Sequence, residues 1–319
     1  MLKAWMRDLQ IILSSSLTKK QLVFGQEWKK GKDDVAISVE GTKYLSSMKD
    51  NFTVQISNLT YKELIQLIKG EYYSIEIKAG YRSRSAETIF KGSVIYISYK
   101  KQSVTTNTAI ILAGSNLVAK YGQSRMNLGL SSGINMYSAL NFICKRAGVS
   151  NSNIDNEFKN RVMKDAMSVQ GTAASWLESF CSANNFIVSS DSSYKNDVSI
   201  INPYRTNNRI IKLDSNKVVL VSGYPKLNSE GLSMTLLPTF NFMPMDVIVI
   251  DNSLIDISAS SNSSKDFNKA MYLDEDGKYL ITQISYELEN RDSQFSITIT
   301  AKARSLYSKI TGVEGYRNE

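Results

Sequence analysis

The side chains that could do chemistry are sparse, and their densest group is the carboxylate run Asp274-Glu275-Asp276. A calcium-binding loop needs oxygen ligands at alternating positions and a more distant bidentate Glu. Glu287 lies eleven residues beyond Asp276, but a predicted strand occupies the positions where the loop would have to be. Asp276-Gly277 is also a strong turn dipeptide. We therefore interpret this run as a turn, and we expect neither a metal site nor a cofactor.

Two glycine-containing segments match catalytic loops only superficially. Gly129-Leu-Ser-Ser-Gly133 lacks the Lys and the strand–helix context of a phosphate-binding P-loop, so a turn before the next helix is the simpler interpretation. Gly171-Thr-Ala-Ala-Ser175 does not match the G-x-S-x-G nucleophile elbow of hydrolases. The chain also contains no histidine, which excludes the standard Ser-His-Asp triad and removes the commonest metal ligand. We predict no catalytic residue and no enzyme activity.

A glycosidase needs only two carboxylates, so this enzyme class survives the absence of histidine. Glu157 could pair with Asp165 or with Glu178, and tryptophans could line a sugar cleft. Nothing in the sequence around these carboxylates marks them as buried or paired. Single tryptophans in separate elements are more often core or interface residues. The tryptophans concerned are Trp5, Trp28 and Trp176.

The two cysteines, Cys144 and Cys181, are too few for a disulfide framework or a zinc cluster. Both lie in predicted helices among apolar neighbours, which favours buried free thiols over a bridge. No apolar run reaches about 18 residues, so we expect no membrane insertion by this chain. The apolar segment 9–13 is too short and too interrupted for a signal peptide, and we interpret it as a first strand. We expect the protein to be made in a cytoplasm.

The net charge of +8 is unevenly distributed. Residues 1–118 contain 17 Lys and Arg against 10 Asp and Glu, residues 119–205 contain 9 against 6, and residues 206–319 contain 12 against 14. A nucleic-acid binder usually carries a clustered basic stripe with interleaved aromatic residues. Here the Lys-Lys pairs lie near predicted strand ends and turns, which favours solvated or partner-facing loop charge. An acidic partner surface or passing DNA stays open as the functional interpretation. These pairs are at 19–20, 29–30 and 100–101.

Residues 1–118 form a mainly β region, because apolar and polar residues alternate along most of its length. One short helix interrupts the alternation, with Thr60 and Glu63 as a capping box and Gly70 at its end. Six antiparallel strands with one short helix predict a barrel or a sandwich. Besides the first strand, the predicted strands are 35–39, 52–56, 74–81, 87–101 and 105–113.

Residues 119–205 change period and predict a small α/β module. Apolar residues recur at helical spacing over 135–148, where Gly148 suits the position just after a helix. A second helix is predicted over about 172–184, followed by strands at 185–189 and 197–201.

Residues 206–319 return to strand alternation. A polar stretch rich in Ser and Asn near 253–269 predicts a long mobile loop within this region. The predicted strands are 209–213, 217–222, 233–237, 246–250, 278–287 and 294–303.

The strand pattern of the first region returns, in altered form, in the third. The residues of the first copy are Phe52, Val54, Ile56, Ile75, Ile77, Ala79, Gly80, Tyr81, Ile89, Phe90, Gly92 and Val94. The residues of the second copy are Leu237, Pro238, 246–250, Gly277, Tyr279, Ile281, Ile284 and 295–301, and the helical segment 139–149 lies between the two copies.

In this order and spacing the pattern resembles the baseplate hub proteins of contractile phage tails, the family of late control protein D and of the N-terminal part of secretion-system spike proteins. The resemblance spans about residues 35–303. It implies a mainly β fold in which two antiparallel β-barrel domains of the tail-tube type, 1–118 and 206–319, flank the small α/β domain 119–205. It also implies a homotrimer whose six β domains form a pseudo-sixfold ring.

In this family such a ring joins the tail tube to the central spike and leaves a channel for the tape measure protein and DNA. The implied partners are therefore the tail tube protein, the spike protein, the tape measure protein and baseplate wedge or ring proteins, with DNA passing through without specific binding. The implied location is the tail baseplate of a virion. No spike or lysozyme segment follows the second β region, so the spike is expected to be a separate polypeptide.

Three alternatives stay open. A contractile injection or bacteriocin machine uses a hub of the same fold, and genome context would separate it from a phage. A tail-associated peptidoglycan glycosidase would clear a peptidoglycan suspension. A general nucleic-acid binder would bind DNA with a steep dependence on salt.

Overall fold

A computed structural model of the chain describes residues 7–15, 17, 19–25, 35–81, 86–101, 107–116, 124–149, 152–189, 198–204, 208–213, 220–221, 223–228, 231–256 and 273–304. Within these ranges the fold is mainly β, with large antiparallel sheets and three α-helices. No helix in the described ranges is long and apolar enough to cross a membrane.

Within its described residues, the first β region has seven antiparallel strands and the α-helix over 61–69. Thr60 caps the helix by accepting a hydrogen bond from the backbone of Glu63, whose carboxylate in turn accepts one from the Thr60 backbone N–H, so the predicted capping box is present. The elements are β1 (Arg7–Ser14), β2 (Gln21–Phe24), β3 (Ala36–Tyr44), β4 (Asn51–Leu59), α1 (Tyr61–Lys69), β5 (Ser74–Tyr81), β6 (Glu87–Lys101) and β7 (Asn107–Gly114).

In the part of the middle region that the structure describes, there are two α-helices and five short strands in two small sheets. Asn135 and Thr172 cap the two helices, and Gly148 follows the first helix with a φ of +87°, as the sequence predicted. The elements are β8 (Arg125–Leu130), α2 (Met136–Arg146), β9 (Ser152–Ile154), β10 (Met167–Thr172), α3 (Ala173–Ala183), β11 (Ile187–Ser189) and β12 (Val198–Ile201).

Among the described residues, the third region adds six strands and extends the sheet of the first. The two predicted strands at its end are confirmed: the strand predicted at 278–287 extends to residue 289, and the one predicted at 294–303 begins at residue 295. Strand β14 was not predicted. The elements are β13 (Ile210–Lys212), β14 (Lys226–Asn228), β15 (Gly231–Leu236), β16 (Val247–Val249), β17 (Lys278–Glu289) and β18 (Phe295–Ala303).

The two β regions share one continuous sheet. Its order is β14-β15-β18-β17-β3-β4-β7-β6-β5-β1-β2, with β16 pairing β17 and β13 pairing β16. The join is the antiparallel pairing of β17 with β3, which runs from Gln283 opposite Tyr44 to Glu289 opposite Ser38. No closed barrel is present among the described residues, so the two predicted barrels appear here as two halves of a single sheet. The domain boundaries at 118 and 205 stay a prediction.

Two hydrophobic cores lie under these elements. The larger core draws on buried residues of both β regions. The smaller core belongs to the middle region, with one contribution from outside it, Met48, which lies in a short 3-10 helix between β3 and β4. The turn between these two strands therefore anchors the middle region to the sheet.

Several predicted features fall outside the described residues. They are Trp5, Trp28, the lysine pair 29–30, most of the predicted strand 217–222 and the part 257–269 of the predicted mobile loop.

Candidate assembly interface

The two β regions repeat the same strand order. The order β3-β4-β7-β6 in the first region matches β14-β15-β18-β17 in the third, and every pairing in both sets is antiparallel. Outside each set, β5 pairs with the first part of β6, and β16 pairs with the first part of β17. Strands β6 and β17 are therefore equivalent elements of the two halves.

A β-bulge fixes the alignment of these two strands residue by residue. In β6 the register with β7 shifts between Val94 and Tyr96, so that Ile95 has no opposite residue. In β17 the register with β18 shifts between Ile281 and Gln283, which leaves out Thr282 in the same way. Aligned on the bulges, Ile97-Ser-Tyr99 coincides with the identical triplet Ile284-Ser-Tyr286. Tyr99 is therefore the counterpart of Tyr286.

Tyr286 lies in the join between the two halves. It is 3% exposed, its Cα partner in β3 is Gly41, and its ring centroid is 5.6 Å from that of Phe52. Gly41 leaves room for this contact, because a Cβ at that position would lie 2.2 Å from the Phe52 ring. Phe52 in turn stacks on Phe90 at 4.1 Å. Burial of an aromatic side chain of this size stabilises the join by about 2 kcal/mol.

Tyr99 has the same position in its strand but is 62% exposed. The pairing of β6 with β5 ends at Ser93 opposite Ser74, one hydrogen bond further on joins Val94 N–H to the carbonyl of Tyr73, and no described strand pairs with this edge beyond it. The segment from Ile95 to Lys101, here called the β6 edge, exposes several apolar and basic side chains. Those that are exposed are Ile95, Tyr96, Tyr99, Lys100 and Lys101.

Exposed sheet edges with apolar side chains are usually covered, because they otherwise recruit other strands. Tyr286 and Tyr99 differ in exposure because of the strands beside them. Strand β3 pairs with the far half of β17 on the side away from β18, but no described strand pairs with the far half of β6 on the side away from β7. The β6 edge is therefore the candidate functional surface among the described residues, and its exposed apolar side chains suit contact with another protein chain.

The counterpart of β3 in the third region is β14. On the side of β14 away from β15, the backbone of Asp256 accepts a hydrogen bond from Leu227 N–H at 3.0 Å and donates one to the carbonyl of Pro225 at 2.8 Å. Asp256 is itself exposed, so this side of the third region presents a carboxylate. We call β14 with Asp256 the β14 edge.

The end of the join away from the bulge is held by Arg7. Its guanidinium donates hydrogen bonds to carbonyl oxygens of the turn between β17 and β18, with Nη2 at 2.9 Å from Ser293 O and Nη1 at 3.2 Å from Glu289 O. The ring of Phe295 also packs edge-on against Tyr81 at 5.5 Å. Burial raises the pKa of Tyr81 to about 12, and the nearby positive charge of Arg7 opposes this rise.

The carboxylate run near Asp274 is a turn, as predicted. Asp274 is buried, and its Oδ1 accepts hydrogen bonds from the backbone N–H groups of Asp276 and Lys278 at 3.0 and 3.1 Å. Gly277 completes the turn with a φ of +64°. Across the described ranges, no three Asp, Glu or Cys residues are grouped in a way that could hold a metal ion.

The carboxylates considered for a glycosidase are engaged separately. Glu157 pairs with Arg161 four residues on, whereas Glu178 pairs with Lys49 at 3.5 Å. Asp165 lies in a bend before β10. Trp176 stacks on Phe180 at 5.0 Å beside the second core instead of lining a cleft.

The remaining sequence candidates are structural. Ser132 and Gly133 form a turn between β8 and α2, and Gly171 leads from β10 into α3. Cys144 and Cys181 are buried free thiols, and burial raises the pKa of each to about 12. Both predictions, of turn and of free thiol, are confirmed.

Sequence reasoning named the long strands 87–101 and 278–287 but did not single out the β6 edge. The signal that could have found it is the repeated Ile-Ser-Tyr triplet at 97–99 and 284–286. A three-residue identity becomes informative only when the sheet order shows that both triplets follow a bulge.

Comparison with known proteins gives matches of structure. No family model matches the sequence, and a search of curated proteins finds no match. The 43 kDa tail protein of prophage MuSo2 from Shewanella oneidensis superposes with a TM-score of 0.58 at 10% identity, over 93% of this chain and 99% of that chain. The tail protein of Neisseria meningitidis MC58 gives 0.55 at 7% identity, over 95% and 98%.

A third solved structure comes from a secretion machine. The E. coli c3393 protein, a component of the type VI secretion system with structural similarity to the T4 bacteriophage tail proteins gp27 and gp5, gives a TM-score of 0.52 at 12% identity, over 84% of this chain and 73% of that chain. The chain therefore has the fold of phage tail and spike-type proteins, and the resemblance noted from its sequence is confirmed at the level of fold.

Proposed function

We propose that this chain is the baseplate hub of a contractile phage tail. Three copies form a ring of six β regions that joins the tail tube to the central spike and leaves a channel for the tape measure protein and DNA. The observation that carries the proposal is the repeated strand order of the two halves within one sheet.

A chain with two equivalent β regions can adapt one symmetry to another. Three such chains present six similar surfaces to a sixfold tube, while their differences repeat only three times and so suit a trimeric spike. Closed rotational symmetry is the usual state of such assemblies. The tail proteins of similar structure support this role.

The partners that follow from this role are the tail tube protein, the spike protein, the tape measure protein and baseplate wedge or ring proteins. The protein would be located in the tail baseplate of the virion. DNA would pass through the ring without specific binding. The role requires no catalysis, cofactor or metal.

A second candidate is the hub of a contractile injection or bacteriocin machine. The specific observation in its favour is the likeness to a type VI secretion component at a TM-score of 0.52. Both candidates predict the same ring, and only the surrounding apparatus differs.

The test is a reconstruction of an assembled tail tip, together with light scattering of the purified chain. We expect a threefold ring of three copies stacked below the tube. A hexamer of this chain, or a chain that stays monomeric without partners, would contradict the proposal. Clearing of a peptidoglycan suspension by the purified protein, abolished by Glu157→Gln or Glu178→Gln, would favour the glycosidase instead.

A further inference from the structure

The join between β17 and β3 shows, within one chain, how one β region pairs with the other. The far half of β17 adds to the outer side of β3, and Tyr286 is buried against Gly41 and Phe52. The β6 edge has the same bulge and the same Ile-Ser-Tyr triplet, but no described strand pairs with its side away from β7.

We propose that the β6 edge of one copy pairs with the β14 edge of a second copy and buries Tyr99 as Tyr286 is buried within the chain. This inference rests on the proposed ring and names the strands that would close it. Each chain would then contribute one internal join, β17 with β3, and one external join, β6 with the β14 edge of its neighbour.

The charges favour this occupant over a self-pairing of two β6 edges. Lys100 and Lys101 are exposed at the end of the β6 edge, so an antiparallel pairing of two such edges would bring lysines onto a basic strand. The β14 edge carries one exposed charge of each sign, Lys226 and Asp256, so it does not oppose these lysines with a second basic strand. The third region as a whole carries 14 acidic against 12 basic residues, whereas residues 1–118 carry 17 basic against 10 acidic, and this difference in sign favours contact between the two regions.

The contact is also of the type that makes rings. Because the two edges differ, the interface is head-to-tail, and head-to-tail contacts close into a cycle when the rotation allows it. The outward backbone groups of Leu227 and Pro225 in the β14 edge already bond to Asp256 within the chain, so the affinity of the contact would come mainly from burial of side chains such as Tyr99. The assembled ring would cover the exposed side chains of Ile95, Tyr96 and Tyr99.

The first test is the oligomeric state of the full chain with Tyr99→Ser, measured by light scattering over a concentration series. We expect the concentration needed for the trimer to rise by at least about 10-fold, because central aromatic residues dominate interface energies. Phe142→Ser is the matched control, since Phe142 is an aromatic residue with 51% exposure that lies on α2 in the middle region. It should leave the trimer unchanged.

The second test is a cross-link that does not depend on how well Tyr99→Ser folds. The double variant Lys101→Cys with Asp256→Cys, treated with a short bismaleimide, should give covalent dimers and trimers on a denaturing gel. The native Cys144 and Cys181 are buried and should not react. Lys101→Cys with Phe142→Cys is the mispaired control and should stay monomeric.

The outcomes separate this inference from the proposed function. The inference would be overturned, with the ring left intact, by two results together: the trimer persists in Tyr99→Ser, and the variant with cysteines at positions 101 and 256 gives no cross-link. A wild-type chain that remains monomeric at every concentration would overturn both. Cross-linking between two copies of Lys101→Cys alone would show self-pairing and contradict the head-to-tail contact.

Discussion

The guanidinium of Arg7 lies over the ring of Phe295, with its Cζ atom 5.2 Å from the ring centroid. These residues belong to the first and the last strand of the described chain, so the contact ties its two ends together across the join of the two β regions. The same guanidinium donates hydrogen bonds to the carbonyl oxygens of Glu289, Asp292, Ser293 and Gln294 in the turn that precedes β18.

Arg7→Ala should loosen this turn. We expect a loss of about 1–2 kcal/mol in the free energy of unfolding, because several charge-assisted hydrogen bonds disappear from a partly exposed site. Hydrogen exchange should quicken at the amides of residues 289–294. Arg7→Lys keeps the charge but loses the planar fork, so it should recover only part of the protection. Equal protection in Arg7→Ala and the wild type would contradict this role.

Gly41→Ala should weaken the join between β17 and β3. A Cβ at Gly41 would lie 2.2 Å from the Phe52 ring, so the ring must move away from Phe90 and Tyr286. We expect a cost of about 1–3 kcal/mol, as for other overpacked cores, measured by urea unfolding. Gly129→Ala in β8 is the control, because no atom lies within 4 Å of a Cβ built there. If both substitutions cost the same, steric crowding at the join is not the cause.

Local elements of this fold could be predicted from sequence because their signals are local. Thr60 with Glu63 marks the start of α1, and Gly148 marks the end of α2. The strands followed from alternation, and their buried faces were as predicted at Phe52, Val54 and Ile56.

The join between the regions could not be predicted in the same way. The pairing of Tyr286 with Gly41 links positions far apart in the chain, and no local preference determines which distant strand completes an edge. Two alternating regions predicted two separate barrels, whereas in the structure β17 pairs with β3 and one buried cluster contains residues of both halves. The short strand β14 was missed because three residues are too few to show a period.

Met48→Ala should loosen the attachment of the middle region to the sheet. Met48 is the only described residue outside the middle region that lies in the second core, where it is 9% exposed. Ser46 supports it by donating a hydrogen bond to the carbonyl of Val188 at 3.3 Å. Truncation of a buried Met typically costs about 2–5 kcal/mol. We expect earlier proteolysis between the sheet and the middle region.

Two further variants sharpen this prediction. Met48→Leu conserves volume and should cost less than about 1.5 kcal/mol. Lys49→Ala removes the ion pair with Glu178, in which the lysine side chain is 63% exposed, and should cost less than about 1 kcal/mol. If Lys49→Ala loosened the middle region as much as Met48→Ala, charge and not packing would be the anchor.

Alkaline pH should unfold the protein through groups that are buried in their neutral form. Burial raises the pKa of Cys144 and Cys181 from 9.0 to about 12, and that of Tyr81 from 10.0 to about 12. Below pH 9 these groups are protonated in both states, so their full contribution to stability is present. Above pH 9 the thiols of the unfolded chain lose protons first, and the tyrosine follows above pH 10.

Stability should therefore fall between about pH 9 and 12, by about 1.4 kcal/mol per pH unit for each group whose proton only the folded state retains. Unfolding by urea at a series of pH values measures this slope. Cys181→Ala should reduce the slope from pH 9 upward, whereas Tyr81→Phe should reduce it only above pH 10 while keeping the ring against Phe295. The thiols should also react slowly with a thiol reagent in the folded state at pH 8, because the reactive thiolate is scarce there. A slope that neither variant changes would mean that other groups control alkaline unfolding.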